Sequence, residues 1–259
     1  GTSAATPVAA GASVLVRQFL REEMSVSQPG SDLIKAILIN GAKDIGSGDI
    51  PNANEGWGQL DLQRSIYPTS GILALNTFFD QDQTLSAGHS YLYTYSLDGS
   101  YGVSVTLVWN DREGSSSASQ SSSRLVNNLD LMVMAPDGTQ YKGNVFQSGF
   151  STTGGSADSV NNVERVKLGS TQTGNWSIQV SNSGGGSQDF AIVITGMGNA
   201  NPVSDLSTVG DSLWCSDSDP LEGDTLLLGA NWVNQAPATT SAYDVMVEDL
   251  TTGTVLYTE

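Results

Sequence analysis

The residue best placed to do chemistry is a serine standing just ahead of an apolar helix. Ser3 lies in the string Gly1-Thr2-Ser3-Ala4-Ala5-Thr6-Pro7-Val8-Ala9-Ala10, which runs on through Gly11-Ala12 and Val14-Leu15-Val16. Proline is favoured in the first turn of a helix, because the N–H it lacks has no intrahelical partner there. A serine before such a helix sits at the positive end of the macrodipole, among free backbone N–H groups. That setting suits a nucleophile whose attack generates an oxyanion. The structural alternative is an N-cap serine.

A serine hydroxyl is a weak nucleophile at neutral pH, so a base must take its proton as the new bond forms. The chain has one histidine, His89, between Gly88 and Ser90 at the start of a strand-like run. It reads as an exposed strand-end histidine, and nothing in the spacing gives it a carboxylate partner. Ser3 is therefore expected to be inert within these residues alone.

The elements that position Ser3 are helical. A helix from about Ala5 to Glu22 is expected, buried on most sides against a sheet because of its continuous apolar and small residues. A second helix should follow Pro29-Gly30 with Ser31 as N-cap. Leu33, Ile34, Ile37 and Leu38 give it one apolar face, and Gly41 is a plausible stop. Asn54-Glu55-Gly56-Trp57-Gly58-Gln59-Leu60-Asp61-Leu62 then reads as a glycine-flanked tryptophan turn and a short helix to about Ile66.

After Pro68 the apolar period changes from 3.6 to 2. Strands are expected at Tyr91–Tyr95, Val103–Trp109, Leu129–Val133, Val163–Val166, Trp176–Val180 and Phe190–Ile194, separated by Gly, Ser and Asn turns. Strands at this spacing without intervening helices indicate an antiparallel sandwich of jelly-roll type. The serine-rich stretch 114–123 reads as a mobile loop. Beyond a linker at Asn199-Ala200-Asn201-Pro202, strand-like runs recur at Thr225–Val233, Tyr243–Val247 and Thr254–Tyr257.

The string G-T-S-x-A-x-P, followed by small residues, resembles the catalytic-serine signature of the subtilisin-like serine proteases. The helices behind it resemble the last quarter of such a catalytic domain. The resemblance implies that Ser3 attacks the scissile carbonyl, that its backbone N–H is one oxyanion donor, and that Gly1 and Thr2 shape the approach. It implies too that the Asp, the His and the oxyanion-hole Asn lie upstream, so the chain is expected to be a fragment of a longer protein, inactive alone. Where the family often has Met directly after the serine, this chain has Ala4.

The strings Val108-Trp109-Asn110-Asp111, Leu125-Val126-Asn127-Asn128-Leu129-Asp130-Leu131 and Ala135-Pro136-Asp137-Gly138-Thr139 are similar to the β-domain of some alkaline subtilisins, itself like the P domain of the kexin-type convertases. That comparison brings Asp111, Asn128 and Asp130 together as oxygen ligands for a structural Ca2+, with Asn161 or Asn162 adding to them. Asn128 stands where the family tends to have Asp. The alternative is a set of Asx turns. The last segment looks like the start of an immunoglobulin-like bacterial repeat of the cell-adhesion-related type.

The fold class implied is multidomain: the C-terminal piece of a subtilisin-like α/β domain over 1–67, a jelly-roll β-sandwich over 68–198, and a linker with a partial Ig-like β-sandwich over 199–259. Composition agrees with a folded chain, since 38% of its 259 residues are hydrophobic. A net charge of −17 argues against nucleic acid and against anionic membrane surfaces as partners. No apolar run is long enough to span a bilayer, and one cysteine, Cys215, allows no intrachain disulfide. The expected reading is a secreted or cell-surface-associated serine endopeptidase acting on protein or peptide substrates, with a possible surface ligand for the last repeat. The competing reading is a non-catalytic secreted binding or adhesion protein carrying a protease remnant.

Overall fold

The structure is a computed structural model that describes residues 1–46, 48–70, 73–74, 76–99, 101–114, 116 and 124–196. Beyond these it describes the backbone of short strands between residues 206 and 258. The chain divides into two compact units, Gly1–Asn201 and Pro202–Glu259.

Three helices open the first unit: α1 (Thr2–Glu22), α2 (Ser31–Gly41) and α3 (Leu62–Ile66). Ten described strands carry or flank its sandwich after a small ribbon of β1 (Thr69–Ser70) and β2 (Leu73–Ala74). They are β3 (Asn76–Leu85), β4 (Ser90–Asp98), β5 (Val103–Trp109), β6 (Asn128–Met134), β7 (Gln140–Lys142), β8 (Phe146–Gln147), β9 (Phe150–Ser151), β10 (Val163–Leu168) and β11 (Thr173–Gly184). A tenth, β12 (Gln188–Gly196), completes it. Two four-stranded antiparallel sheets result, ordered β10-β5-β12-β3 and β4-β11-β6-β7.

Alternation along the strands explains the layers. In β5, Val105, Leu107 and Trp109 face the second sheet, meeting Tyr93, Tyr95 and Leu97 of β4, Leu129, Leu131 and Val133 of β6, and Trp176, Ile178 and Val180 of β11. From β12, Phe190, Ile192 and Ile194 join the same core. The intervening residues Val108, Ala191 and Val193 face outward, yet they too are buried, because Leu33, Ala36, Ile37 and Ile39 of α2 cover them. Burying one such aliphatic or aromatic side chain stabilises by about 1.5–3 kcal/mol. The central sheet is therefore apolar on both faces, with α2 lying across β5 and β12. The helical segment and the sandwich form one packed body.

Helix α1 differs from expectation. It was expected to be buried on most sides, but its buried residues are Ala12, Val16 and Leu20, spaced by four along one stripe. Val8 and Val14 are each 65% exposed and Leu15 is 48% exposed. A stripe of that spacing covers one face of a helix only, and α2 and α3 supply the partners.

The ends of α2 also differ. Gly30, not Ser31, is the N-cap, and its N–H donates to Gln81 Oε1 at 2.9 Å. Gly41 is the last helical residue, not a left-handed stop, and the C-cap Ala42 is extended. Glycine serves there because α3 presses close: an added Cβ would lie 2.5 Å from Ser65 N and 2.6 Å from its Cα. The short closing helix is capped by Asp61, whose Oδ1 accepts from Arg64 N at 3.1 Å.

The second unit contains three described two-stranded pairings. β13 (Leu206–Thr208) pairs with β16 (Trp232–Asn234), β14 (Trp214–Cys215) with β15 (Leu228–Gly229), and β17 (Met246–Asp249) with β18 (Thr254–Thr258). The remainder of the expected Ig-like repeat, and most of the serine-rich loop at 114–123, lie outside the described residues.

Candidate functional site

Ser3 sits inside the first turn of α1, not ahead of it. Gly1 is the N-cap, and its carbonyl accepts from Ala4 N at 3.0 Å and Ala5 N at 3.2 Å. The helix thus begins at Thr2, three residues before the expected start, because a glycine can close it without a side-chain cap. The N–H groups of Thr2 and Ser3 stand at the open end of the ladder, where helix geometry offers them no intrahelical acceptor. Both residues are exposed.

Moving the start places Pro7 in the helix interior. Proline has no N–H to give the carbonyl four residues back, which here belongs to Ser3. Beside it, Thr6 Oγ1 bonds back to Thr2 O at 2.8 Å, and further along Ser13 Oγ bonds to Ala9 O at 2.8 Å. Behind this turn, Ala9, Ser13, Ile34, Leu38, Ile39 and Trp57 line a mostly apolar depression of about 420 Å³ between α1, α2 and the tryptophan turn.

His89 is exposed. It lies in the turn between β3 and β4, where its N–H donates to Ser86 O at 3.1 Å and its carbonyl accepts from Asn182 N at 3.0 Å. Its exposed ring places Nδ1 3.2 Å from Ala87 O. The main contacts of α1 are with α2 and α3.

Asp111, Asn128 and Asp130 are each engaged within the sandwich. Asp111 accepts from Arg112 N (2.9 Å) and Asn127 N (2.9 Å) through Oδ1, and from Val126 N (2.7 Å) through Oδ2. That is an Asx-type arrangement holding the strand ends together. Asn128 Nδ2 donates to Ser183 Oγ at 2.7 Å and Asp130 Oδ1 at 3.2 Å, whereas Asn128 Oδ1 is buried without a partner. Among the described residues, no three His, Cys, Asp or Glu side chains gather as a metal centre would require. Asn161 supports Asp158 (2.7 Å) and Asn162 Nδ2 donates to Trp109 O (2.9 Å).

Sequence reasoning missed a polar hub behind the Ser3 helices. Asn40, on the last turn of α2, is 7% exposed. Its Nδ2 donates to Thr195 Oγ1 at 2.7 Å, and its Oδ1 accepts from Ser104 Oγ at 2.8 Å and Thr106 Oγ1 at 2.9 Å. Arg165 Nη2 donates to Asn40 O at 2.8 Å. Burial pushes the Arg165 guanidinium down to about 10, with Arg64 adding to the shift and Asp44 opposing it. Its neighbour Glu164 points the other way, into the sandwich, and accepts from Leu131 N at 2.7 Å. Burial raises the Glu164 carboxyl to about 9; the Leu131 bond opposes this, and Asp130 and Asp158 reinforce it.

Residues 1–58 match the model of the subtilase family of peptidases. They are the segment that carries Ser3, α1, α2 and the tryptophan turn. Among curated proteins, the chain is 32% identical over 199 residues to the serine protease/ABC transporter B family protein tagA of Dictyostelium discoideum, covering 70% of this chain and 11% of that protein. It is 30% identical over 223 residues to tagD of the same organism, covering 64% and 12%. The chain thus spans little more than a tenth of the relatives it matches. Solved structures with some likeness include a Bacillus licheniformis lipase (TM-score 0.29, 12% identity, 49% of this chain and 23% of that one). Another is the pre-peptidase C-terminal domain of a Bacillus anthracis collagenase (TM-score 0.28, 9% identity, 46% and 88%). Scores this low carry no argument about fold or function. No described helix is long and apolar enough to cross a membrane.

Proposed function

We propose that this chain belongs to a secreted subtilisin-like serine endopeptidase, with Ser3 as its nucleophile. The observation that carries the reading is the placement of Ser3: an exposed hydroxyl on the first turn of a helix, with its own N–H unclaimed, inside the segment that matches the subtilase model. Ser3 Oγ would attack the scissile carbonyl. The Ser3 N–H, at the positive end of α1, would donate to the oxyanion that forms. Gly1 and Thr2 leave the approach open, since neither brings bulk to the first turn. The proton must go to a base oriented by a carboxylate, and the family resemblance implies that other residues of the intact parent supply both.

The sandwich and the second unit extend the proposal. The residues from 68 onward form the jelly-roll domain and the start of an Ig-like, cell-adhesion-type repeat for a surface ligand. Calcium in the sandwich rests on the buried, unpartnered Asn128 Oδ1 beside Asp130. Asp111 is already satisfied by backbone N–H groups.

The test is to express the intact parent with Ser3→Ala and measure casein cleavage. Loss of turnover is expected. Undiminished turnover would leave the non-catalytic binding reading, in which the β modules are the working part.

A further inference from the structure

The two sheets of the sandwich end in four edge strands, β10 and β3 on one, β4 and β7 on the other. An open edge is a row of unpaired N–H and C=O groups that invites another strand. Folded proteins blunt it with charge, a bulge, short length or cover. Three of these edges are blunted so. β3 carries Asp80 and Asp82 and a register shift against β12, with Asp82 at φ 63°. β7 is three residues long and ends on Lys142. On β10 the outward groups are claimed: Asn144 N donates to Arg165 O and Arg165 N to Asn144 Oδ1, both at 2.9 Å, and Lys167 N donates to Ser151 Oγ at 2.9 Å.

β4 has none of these protections. Its nine residues, Ser90-Tyr91-Leu92-Tyr93-Thr94-Tyr95-Ser96-Leu97-Asp98, pair without a bulge to β11 and to no other described strand. The strand holds no proline, glycine or basic residue, and its one acid, Asp98, is the last position. β11 behind it has no charged residue from Thr173 to Gly184. On a chain of net charge −17, these two strands form a nearly neutral ribbon.

The hydrogen bonds fix which atoms the open edge offers. His89 O accepts from Asn182 N at 3.0 Å, which turns the odd-numbered residues of β4 toward β11. The far side of the sheet gives the same answer. Leu131 turns its N–H and C=O away from β11, toward Glu164 Oε2 and Gly143 N, and it is opposite Val180, which is opposite Tyr91. Ser90, Leu92, Thr94 and Ser96 therefore direct their N–H and C=O groups to the open side. Leu92 is 43% exposed, and Thr94 and Ser96 are half-buried.

We propose that β4 is a homodimer edge, on which a second copy of this chain pairs antiparallel about Thr94 and joins the two β4-β11-β6-β7 sheets into one. The strand's own sequence selects this partner. In that register Thr94 meets Thr94, Leu92 meets Ser96 and Ser90 meets Asp98, so each outward position finds an outward position. The two Asp98 residues stand at opposite ends of the junction. Parallel pairing would set them side by side, where like charges destabilise. The two-fold axis through Thr94 closes the assembly at two chains. This interface goes beyond the peptidase reading and does not depend on Ser3 being catalytic.

The full chain should sediment at twice its own mass at about 0.15 M salt, where repulsion between the copies is screened beyond about 8 Å. Thr94→Pro removes an N–H that β11 does not use, and Thr94→Lys sets two cations opposite each other on the axis. Each should weaken the dimer by about fivefold or more, with the circular dichroism of the chain unchanged. Should Thr94→Pro not fold, Thr94→Lys carries the test. Amide hydrogen exchange locates the contact: Leu92, Thr94 and Ser96 should gain protection as the protein concentration rises. A chain that stays monomeric, or a dimer in which those amides stay unprotected, would overturn the proposal. So would a dimer that ignores both substitutions, as one held through the exposed Val8 and Val14 of α1 would.

Discussion

Arg165 Nη2 lies 2.8 Å from the backbone oxygen of Asn40, so a residue of strand β10 closes the C-terminal end of helix α2. The last carbonyls of a helix lack intrahelical donors, and a cation there also meets the negative end of the dipole. The same Asn40 turns its side chain to three hydroxyls on β5 and β12.

That convergence predicts a large effect from a small change. Asn40→Ala removes three side-chain hydrogen bonds and leaves the Ser104, Thr106 and Thr195 hydroxyls to find new partners in a buried layer. A loss of about 2–4 kcal/mol is expected from the cost of stranding buried polar groups. Urea denaturation of the wild-type and variant chains measures it, and a loss below about 0.5 kcal/mol would remove Asn40 from its role as hub.

Glu164 predicts a slope with pH. Its folded carboxyl titrates at about 9 against an ordinary 4.5, so between those values the folded state holds a proton that the unfolded state has released. The contribution is fully present below about pH 4.5 and is lost as the pH rises through about 9. Glu164→Gln keeps an acceptor for Leu131 N and removes the titration. Its stability should therefore fall less steeply than that of the wild type across this window in pH-dependent thermal melts. Parallel curves would show that Glu164 is not the group responsible.

Ser3 separates chemistry from folding. Ser3→Ala in the intact parent should reduce peptide hydrolysis by about a thousandfold or more. Because Ser3 is exposed, the same change should shift stability by less than about 0.5 kcal/mol. Activity assays and thermal melts on one preparation read both. A joint loss of activity and stability would point to a structural role instead.

Chelation tests the proposed calcium. If Asn128 Oδ1 completes an ion site, EDTA should lower the melting temperature, and Asn128→Ala should abolish that response. An unchanged melting curve would leave Asn128, Asp130 and Asp111 as a hydrogen-bonded loop and nothing more.

Much of the sandwich was legible in the sequence because its strands are short β-branched or aromatic runs bounded by Gly, Ser and Asn turns. Val103–Trp109 is bounded in the structure as its residue pattern suggested, and five other runs fall within observed strands. Strand β3 was not legible. Its Asp80-Gln81-Asp82-Gln83 stretch looks like a loop, and Asp82 adopts φ 63° where the register with β12 shifts. A bulge of this kind breaks the period that identifies a strand. Within it, Asp80 accepts from the Tyr93 hydroxyl at 3.0 Å, a tertiary partner that no local pattern announces. Glu164-Arg165 was read as part of a strand, but adjacent strand residues point to opposite faces, so two charges in a row suggest solvent on both. Both are buried because this sheet is covered on two sides, which only the packing of α2 reveals. For the candidate site, the Ser3 string was readable, whereas its register in α1 depended on which residue closes the first turn.

The exposed side of α1 has a colloidal consequence. Val8, Val14 and Leu15 are open to solvent on a chain of net charge −17, so mutual repulsion opposes the sticking of these patches. Raising the ionic strength from about 0.01 to 1 M shortens the Debye length from about 30 to 3 Å, while apolar attraction is not screened. Light scattering of this chain should therefore report association that grows with salt, the reverse of what complexes held by opposite charges do.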